Sequence, residues 1–310
     1  MYYIIVNPAS RSGKGLTIWQ NSVKPVLDER EISYKFYFSK EAGAVAHLTE
    51  QICKNAIHKP IRLIILGGDG TVNEAIQAIP ADCPVILGYI PTGSSNDLAR
   101  DLNLFTDPAL ALELILSEPR VHPMDLGCIT YQDGVTRRFA VSCGIGYDAA
   151  VCEEAMHSNL KKAFNKVGLG KLTYLGIALK HLFQKNNVEG TITLDDETTH
   201  SLNPFLFTAI MNHRFEGGGF MFCPDADDSD GILDLCAVEK LSTLKILMAL
   251  PSAFKGKHFR FDGIYPFRAG KIQIVTSTPL WVHTDGEVHR KSDNFTVTCL
   301  EHAVSIIVPF

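Results

Sequence analysis

The chain has 310 residues, 46% hydrophobic and 20% charged; that balance excludes a disordered protein, and at roughly 150 residues per domain it suggests two domains. A net charge of -5 argues against a whole-chain nucleic-acid binder, which shows a basic balance. Every apolar run is interrupted before the ~18 residues a membrane span needs, and eight cysteines without a C-x-x-C pair argue against a zinc site or a disulfide framework.

Met1-Tyr2-Tyr3-Ile4-Ile5-Val6 has no basic leader and runs into Asn7-Pro8, so it reads as a first strand rather than a signal peptide. A helix is expected over Leu16 to Glu29, a strand over Tyr34 to Phe38 and a helix over Ala44 to Lys54. A strand over Leu63 to Leu66, a helix over Asn73 to Ile79 and a strand over Val85 to Ile90 follow. Short apolar strands alternating with helices imply right-handed crossovers and a parallel sheet, with ligands beyond the carboxyl ends of the strands. From about Leu126 the rhythm becomes β-rich. Runs at Phe139 to Cys143, Thr191 to Leu194, Phe205 to Met211, Leu233 to Val238, Lys271 to Val275, Phe295 to Leu300 and Val304 to Val308 suit an antiparallel second domain. A helical insertion is expected over Asp148 to Lys185.

Three Gly-rich or hydroxyl-rich segments fall at the ends of the early strands. Gly67-Gly68-Asp69-Gly70-Thr71 joins an apolar strand to an amphipathic helix; its glycines let amides approach phosphate oxygens, and Asp69 is placed for a metal or the nucleotide. The plainer reading is a strand-to-helix turn with Asp as N-cap. The first loop, Asn7 to Gly15, is no Walker loop, since Pro8 and Gly15 stand where Gly and Ser or Thr are needed; Lys14 can still meet phosphate as a point charge. Pro91-Thr92-Gly93-Ser94-Ser95-Asn96-Asp97 can close over a nucleotide, with Asn96 a candidate N-cap.

The second half carries two acidic turns. Pro224 to Gly231 puts four Asp into six residues, which suits a hard cation or simply a solvated turn. His283-Thr284-Asp285-Gly286-Glu287 reads as a hairpin tip. The histidines lack metal-ligand spacing, and no Ser has a G-x-S-x-G context, so hydrolase readings find little support.

In this order, Asn7-Pro8 with Ser12-Gly13-Lys14, GGDGTVNE from Gly67 to Glu74, Pro91-x-Gly-Ser-x-Asn-Asp-Leu-Ala-Arg100, Met124-Asp125-Leu126-Gly127, Asp230-Gly231-Ile232-Leu233-Asp234 and Asp285-Gly286-Glu287 resemble the diacylglycerol kinase catalytic-domain family over essentially the whole length. GGDGT alone is shared with NAD kinases; the later motifs point to lipid kinases. The resemblance implies an N-terminal α/β nucleotide domain with a parallel, NAD kinase-like sheet (1–124, joined by a return segment 300–310). It also implies a β-rich C-terminal sandwich domain (125–299) with the helical insertion 148–185. By motif, Asn7, Pro8, Ala9, Ser10, Arg11, Ser39, Gly68, Asp69, Gly70, Thr71, Val72, Asn73, Glu74 and Ser94 are expected to contact ATP. A structural Mg²⁺ is expected on Asp227, Asp230 and the carbonyl of Ile232, where Ser229-Asp230-Gly231 replaces the Asp-Asp-Gly of many relatives. The base that takes the lipid hydroxyl proton is placed in the Asp-Gly-Glu turn, with Glu287 favoured over Asp285. Asp125 and Lys14 are expected in a supporting charge network, and Mg²⁺ near Asp69 would bridge the terminal phosphates.

The expected reaction is ATP-dependent phosphorylation of a membrane lipid hydroxyl, diacylglycerol foremost, by a cytoplasmic protein peripheral to the inner face of the membrane. Six lysines and no acid between Glu154 and Glu189, interleaved with apolar residues, suggest that segment 157–185 meets an anionic membrane. A second acid-free window runs from Lys240 to Phe261, with an ordinary core-facing, Lys-covered helix as its alternative. The competing functions are an NAD kinase-like enzyme acting on a soluble acceptor and a non-catalytic nucleotide- or lipid-binding regulator.

Overall fold

A computed structural model of the chain describes residues 1–41, 43–57, 59–117, 119–157, 187–239 and 241–310, with only the backbone at 155–157. The membrane-facing segment expected at 157–185, and most of the insertion around it, lies outside the described residues; its first part is the helix Tyr147–His157.

Four short strands, β1 (Tyr2–Val6), β2 (Tyr34–Phe38), β3 (Ile61–Gly67) and β4 (Val85–Pro91), pair in parallel in the order β4-β3-β1-β2. Their central residues, Ile4 to Val6 and Leu63 to Leu66, are fully buried, as expected of a sheet covered on both faces. The carboxyl ends of β1, β3 and β4 align, since Asn7 N donates to Leu66 O (2.9 Å) and Thr92 N to Gly67 O (2.7 Å). Three sequence-distant loops are thereby set side by side.

The rest of the sheet is mainly antiparallel. It contains β5 (Arg120–Tyr131), β6 (Thr136–Phe139), β7 (Ser142–Gly146), β8 (Gly190–Leu194), β9 (Thr198–Leu202) and β10 (Phe205–Met211). A separate small hairpin joins β11 (Phe215–Glu216) to β12 (Phe220–Met221). The large sheet ends with β13 (Leu233–Glu239), β14 (Ile264–Ala269), β15 (Lys271–Thr284) and β16 (Glu287–Val308).

β16 is the seam. It pairs antiparallel with β15 and β5, and its end runs parallel to β4 through Ser305↔Ile86 and Ile306↔Leu87. β5 and β16 both pass between two hydrophobic cores. Met124, Leu126, Val304 and Ile306 belong to the core of the parallel strands, whereas Ile129, Phe295 and Val297 belong to that of the β-rich half.

The sequence runs Phe295 to Leu300 and Val304 to Val308 are thus one strand, broken only by a bulge at which His302 takes a left-handed backbone (φ 46°). The expected strand Phe139 to Cys143 is instead two, β6 and β7. Ala140 and Val141 leave the ladder because their N–H groups go to the Asp285 carboxylate. The expected helix over Leu16 to Glu29 is divided into Gly15–Ile18, a π-helical turn Trp19–Val23 and Lys24–Glu29.

Candidate active site

The three loops at the strand ends are tied by their own side chains. Asn7 Nδ2 donates to Thr71 Oγ1 (3.1 Å), and Thr92 Oγ1 donates to Ser10 Oγ (2.8 Å), so the first loop is bonded to each of the others. Gly15 is required by this packing, because a Cβ there would stand 2.1 Å from the Asn7 carbonyl oxygen; the Ser or Thr of a Walker loop does not fit. Gly93 meets Gly68 backbone to backbone, and a Cβ on Gly93 would come within 2.8 Å of Gly68 Cα. Lys14 and Arg11 are exposed on the first loop, and Ser94 on the third. Arg11 and Ser12 hold left-handed backbone (φ 51° and 58°), strain of a kind that concentrates at ligand-binding loops. Ser39 lies just after β2, with its N–H donating to Val6 O (3.0 Å) beside the start of the first loop.

Asp69 does not cap its own helix. Gly68 occupies that position, and Thr71 Oγ1 accepts the Gly68 N–H at 3.3 Å. The Asp69 carboxylate instead crosses to the third loop, accepting Asp97 N–H (3.0 Å) at the start of the helix Asp97–Asp101 and the Tyr89 hydroxyl (3.2 Å). Burial, with the charges of Asp97 and Asp285 adding to it, raises Asp69 to about 6. The candidate N-cap Asn96 likewise turns back, with Oδ1 accepting the Gly93 N–H (2.9 Å). These bonds hold the loop mouths open at a fixed spacing, while the exposed hydroxyls and cations point outward.

The Asp285–Glu287 turn closes the other side of the cleft, and its two acids differ sharply. Asp285, at φ 50°, accepts four N–H groups, from Asn73 Nδ2 (2.7 Å) and from Ala140, Val141 and Ser142 (2.9, 2.8 and 3.0 Å). A carboxylate saturated in this way anchors the turn and has no lone pair free for a substrate proton. Glu287 has one such partner, Arg137 Nη2 (3.0 Å), and its Oε1 lies 3.2 Å from where a side chain on Gly70 would begin. It therefore abuts the glycine-rich turn. Burial raises the Glu287 carboxyl, Arg137 opposes this, and Glu74 and Asp285 reinforce it. Arg137 also donates to Thr284 Oγ1 and Asn73 Oδ1, fixing its guanidinium across the hairpin.

Several residues expected at the nucleotide are committed elsewhere. Val72 is in the core, Asn73 is fully buried against Asp285, and Glu74 Oε2 accepts the Gly43 and Val45 N–H groups at the start of the helix Ala44–Asn55. Their spacing on one helix turns them away from the loop mouth: of this segment only Gly68 to Gly70 are partly exposed there, and Thr71 is buried with its hydroxyl bonded to Asn7 Nδ2 and Gly68 N–H. Asp125 is not brought to Glu287 or Lys14. Its carboxylate accepts Gly231 N–H (2.7 Å) and His302 N–H (2.6 Å), pinning the β16 bulge to the acidic turn where the strands pass between cores. The Lys14 ammonium forms no hydrogen bond or ion pair with any described residue.

The acidic turn does not fit a resident cation. Arg268 sits on Asp230 (2.5 Å) and Asp234 (3.2 Å), so the charge Asp230 would lend a metal is already neutralised. Asp227 accepts the N–H and hydroxyl of Ser229, the residue that replaces the Asp of many relatives, and Asp228 pairs with His122 at 3.0 Å. Among the described residues no group of three or more His, Cys, Asp or Glu side chains is arranged to hold a metal ion.

One polar cluster has no signature in the sequence. His283 is fully buried, with Nε2 at 3.2 Å from Asp148 Oδ2 and 3.4 Å from Glu216 Oε1, while Gly286 N–H donates to its Nδ1 at 3.3 Å. Burial raises Glu216 to about 7. For His283 burial acts the other way, but the facing Glu216 and Asp148 outweigh it and raise the imidazole. The buried imidazole thereby faces two carboxylates directly beneath the Asp-Gly-Glu turn. Arg137, too, is assigned only by the fold.

Comparison with known proteins accounts for these elements together. The diacylglycerol kinase catalytic domain matches residues 1–129, and the YegS C-terminal NAD kinase beta sandwich-like domain matches residues 141–308. The chain belongs to the diacylglycerol kinase catalytic-domain family. A Bacillus subtilis (strain 168) protein named as a lipid kinase, YtlR, is 28% identical over 292 residues, covering 93% of each chain. The crystal structure of a diacylglycerol kinase from Bacillus anthracis str. Sterne superimposes with a TM-score of 0.76 at 25% identity, covering 99% of this chain and 96% of that one. An NAD kinase from Archaeoglobus fulgidus, solved in complex with ATP, shares the fold at TM-score 0.54 and 11% identity, with 99% and 93% covered. The chain is thus a member of a lipid kinase family on an NAD kinase-like fold with a β-rich second half.

Proposed function

We propose that the chain transfers the γ-phosphate of ATP to the hydroxyl of a membrane lipid, diacylglycerol foremost, from the cytoplasmic side of the membrane. The observation that carries this reading is the position of Glu287, a half-buried carboxylate with one cationic partner, against Gly70 of the glycine-rich turn. Phosphoryl transfer needs the phosphates held, their charge stabilised and the acceptor hydroxyl deprotonated in line.

The loops supply the first two requirements. The amides of Asp69 and Gly70 at a helix N-terminus, the hydroxyl of Ser94 and the unpaired Lys14 face the mouth into which an ATP-magnesium substrate would place its phosphates. Asp69 holds the second and third loops at their spacing through Asp97 N–H. Glu287 supplies the third requirement, accepting the lipid proton in its ionised form. Its raised pKa makes it a stronger base than an exposed carboxylate, and Arg137 keeps enough of it ionised. The ATP complex of the archaeal NAD kinase with this fold supports the nucleotide. The carboxylate of Glu287, with Arg137 as its one partner and Gly70 in front of it, speaks against a non-catalytic regulator.

The test is labelled ATP offered with a panel of lipid alcohols in mixed micelles, with NAD as a control acceptor. Label should enter phosphatidic acid when diacylglycerol is present. Label in NADP, or turnover indifferent to lipid, would overturn the reading.

A further inference from the structure

The helix Thr243–Ala253 is packed inside out. Leu244, Leu247 and Met248 recur at i, i+3 and i+4, the spacing by which a surface helix usually faces its core, yet they are 67%, 44% and 49% exposed. The residues buried on the inward face are small, Ala249, Ser252 and Ala253, with Ile246 and Leu250 only partly buried beside them. Phe254 extends the outer stripe at 50% exposure. The sequence alternative of a core-facing helix with a Lys-covered outside is therefore reversed.

Cations frame this stripe. Lys245, Lys255, Lys257 and Arg260 are exposed, and none is in an ion pair among the described residues. No acidic residue occurs in the sequence from Lys240 to Phe261. The patch is also continuous with the active site. Phe254 stacks on Phe220 of β12 (centroids 4.1 Å apart), and the same small hairpin places Glu216 beside His283 and Gly218 N–H on Asp97 (2.9 Å).

We infer that the outward face of the helix Thr243–Ala253, with the basic turn that follows, docks on an anionic lipid bilayer and sets the cleft against the membrane. This rests on the lipid-kinase reading above and adds to it the surface that meets the bilayer. Apolar side chains flanked by cations without ion-pair partners match the acyl-headgroup boundary of an anionic leaflet. A second copy of the chain fits less well, because a twofold contact would bring the same four cations together.

The experiment is co-sedimentation of the full chain with phosphatidylcholine vesicles, with and without phosphatidylglycerol. The wild type should bind the anionic vesicles and be released by salt. The triple variants L244S/L247S/M248S and K245E/K255E/K257E should each bind at least roughly tenfold more weakly, with turnover of a water-soluble short-chain diacylglycerol unchanged. Binding is read without turnover, so a chain that phosphorylates no lipid yet docks would fail the functional reading and keep this one. M248W supplies a second signal, since brominated lipids should quench its emission. Wild-type binding by both triple variants would overturn the proposal. So would M248W emission already blue-shifted in buffer and unquenched by vesicles, the result expected if residues 158–186 or a second copy cover the face.

Discussion

The turn at Asp285–Glu287 and the turn at Asp225–Asp230 both crowd carboxylates into a few residues, yet their surroundings give them different chemistry. In the second, three of the four acids already have a partner, Arg268 on Asp230, Ser229 on Asp227 and His122 on Asp228, and the fourth, Asp225, stands exposed without a second free acid beside it. In the first, Asp285 spends its lone pairs on four N–H groups so that the neighbouring Glu287 can stand against Gly70 with a single cation beside it. What separates a structural acid from a reactive one is unspent hydrogen-bonding capacity at the right place, which the count of acids in the sequence does not reveal.

The comparison can be broken at its strongest point first. Glu287→Gln should lower kcat by roughly 10²–10⁴-fold while nucleotide affinity stays near wild type; a loss of nucleotide affinity instead would move Glu287 into the binding site. Asp285→Ala should act on the fold, because it leaves several buried N–H groups without an acceptor, at a cost of about 3 kcal/mol or more. Chemical denaturation would read this as a large drop in midpoint, and an unchanged midpoint would mean that the four bonds are replaceable. The mildest change is expected in the other turn. Arg268→Met should cost about 1–3 kcal/mol, since Asp230 is partly exposed but the buried Asp234 loses its one cation. Magnesium without nucleotide should leave the wild-type melting temperature unmoved, and a clear rise would show that Asp230 exchanges Arg268 for the ion.

Much of this was legible before the fold. Ile4 to Val6, Leu63 to Leu66 and Val85 to Ile90 announced parallel strands because strands buried on both faces leave continuous apolar runs, while the edge strand Tyr34 to Phe38, with no buried residue, is marked by its aromatic side chains. β5 gives no such run, since His122, Pro123 and Asp125 interrupt it, and the sequence of β16 divides into two apolar runs because its bulge at His302 is polar. At the site, glycine-rich loops were readable from local composition, whereas the orientation of Asn73 and Glu74 depends on helix phase and on partners far along the chain. His283 and Asp148 are 135 positions apart, and Arg137 reaches Glu287 across 150. No local pattern encodes such meetings; the sheet that carries β6, β7 and β15 makes them.

The role of Glu287 is tested most directly by the pH dependence of kcat, measured with a short-chain diacylglycerol for the wild type and for Arg137→Gln. The base works ionised, so kcat should rise with pH through the raised pKa of Glu287. Removing the guanidinium that holds that pKa down should move this limb to higher pH. A limb that stays in place, or a rate independent of pH in both proteins, would contradict Glu287 as the proton acceptor.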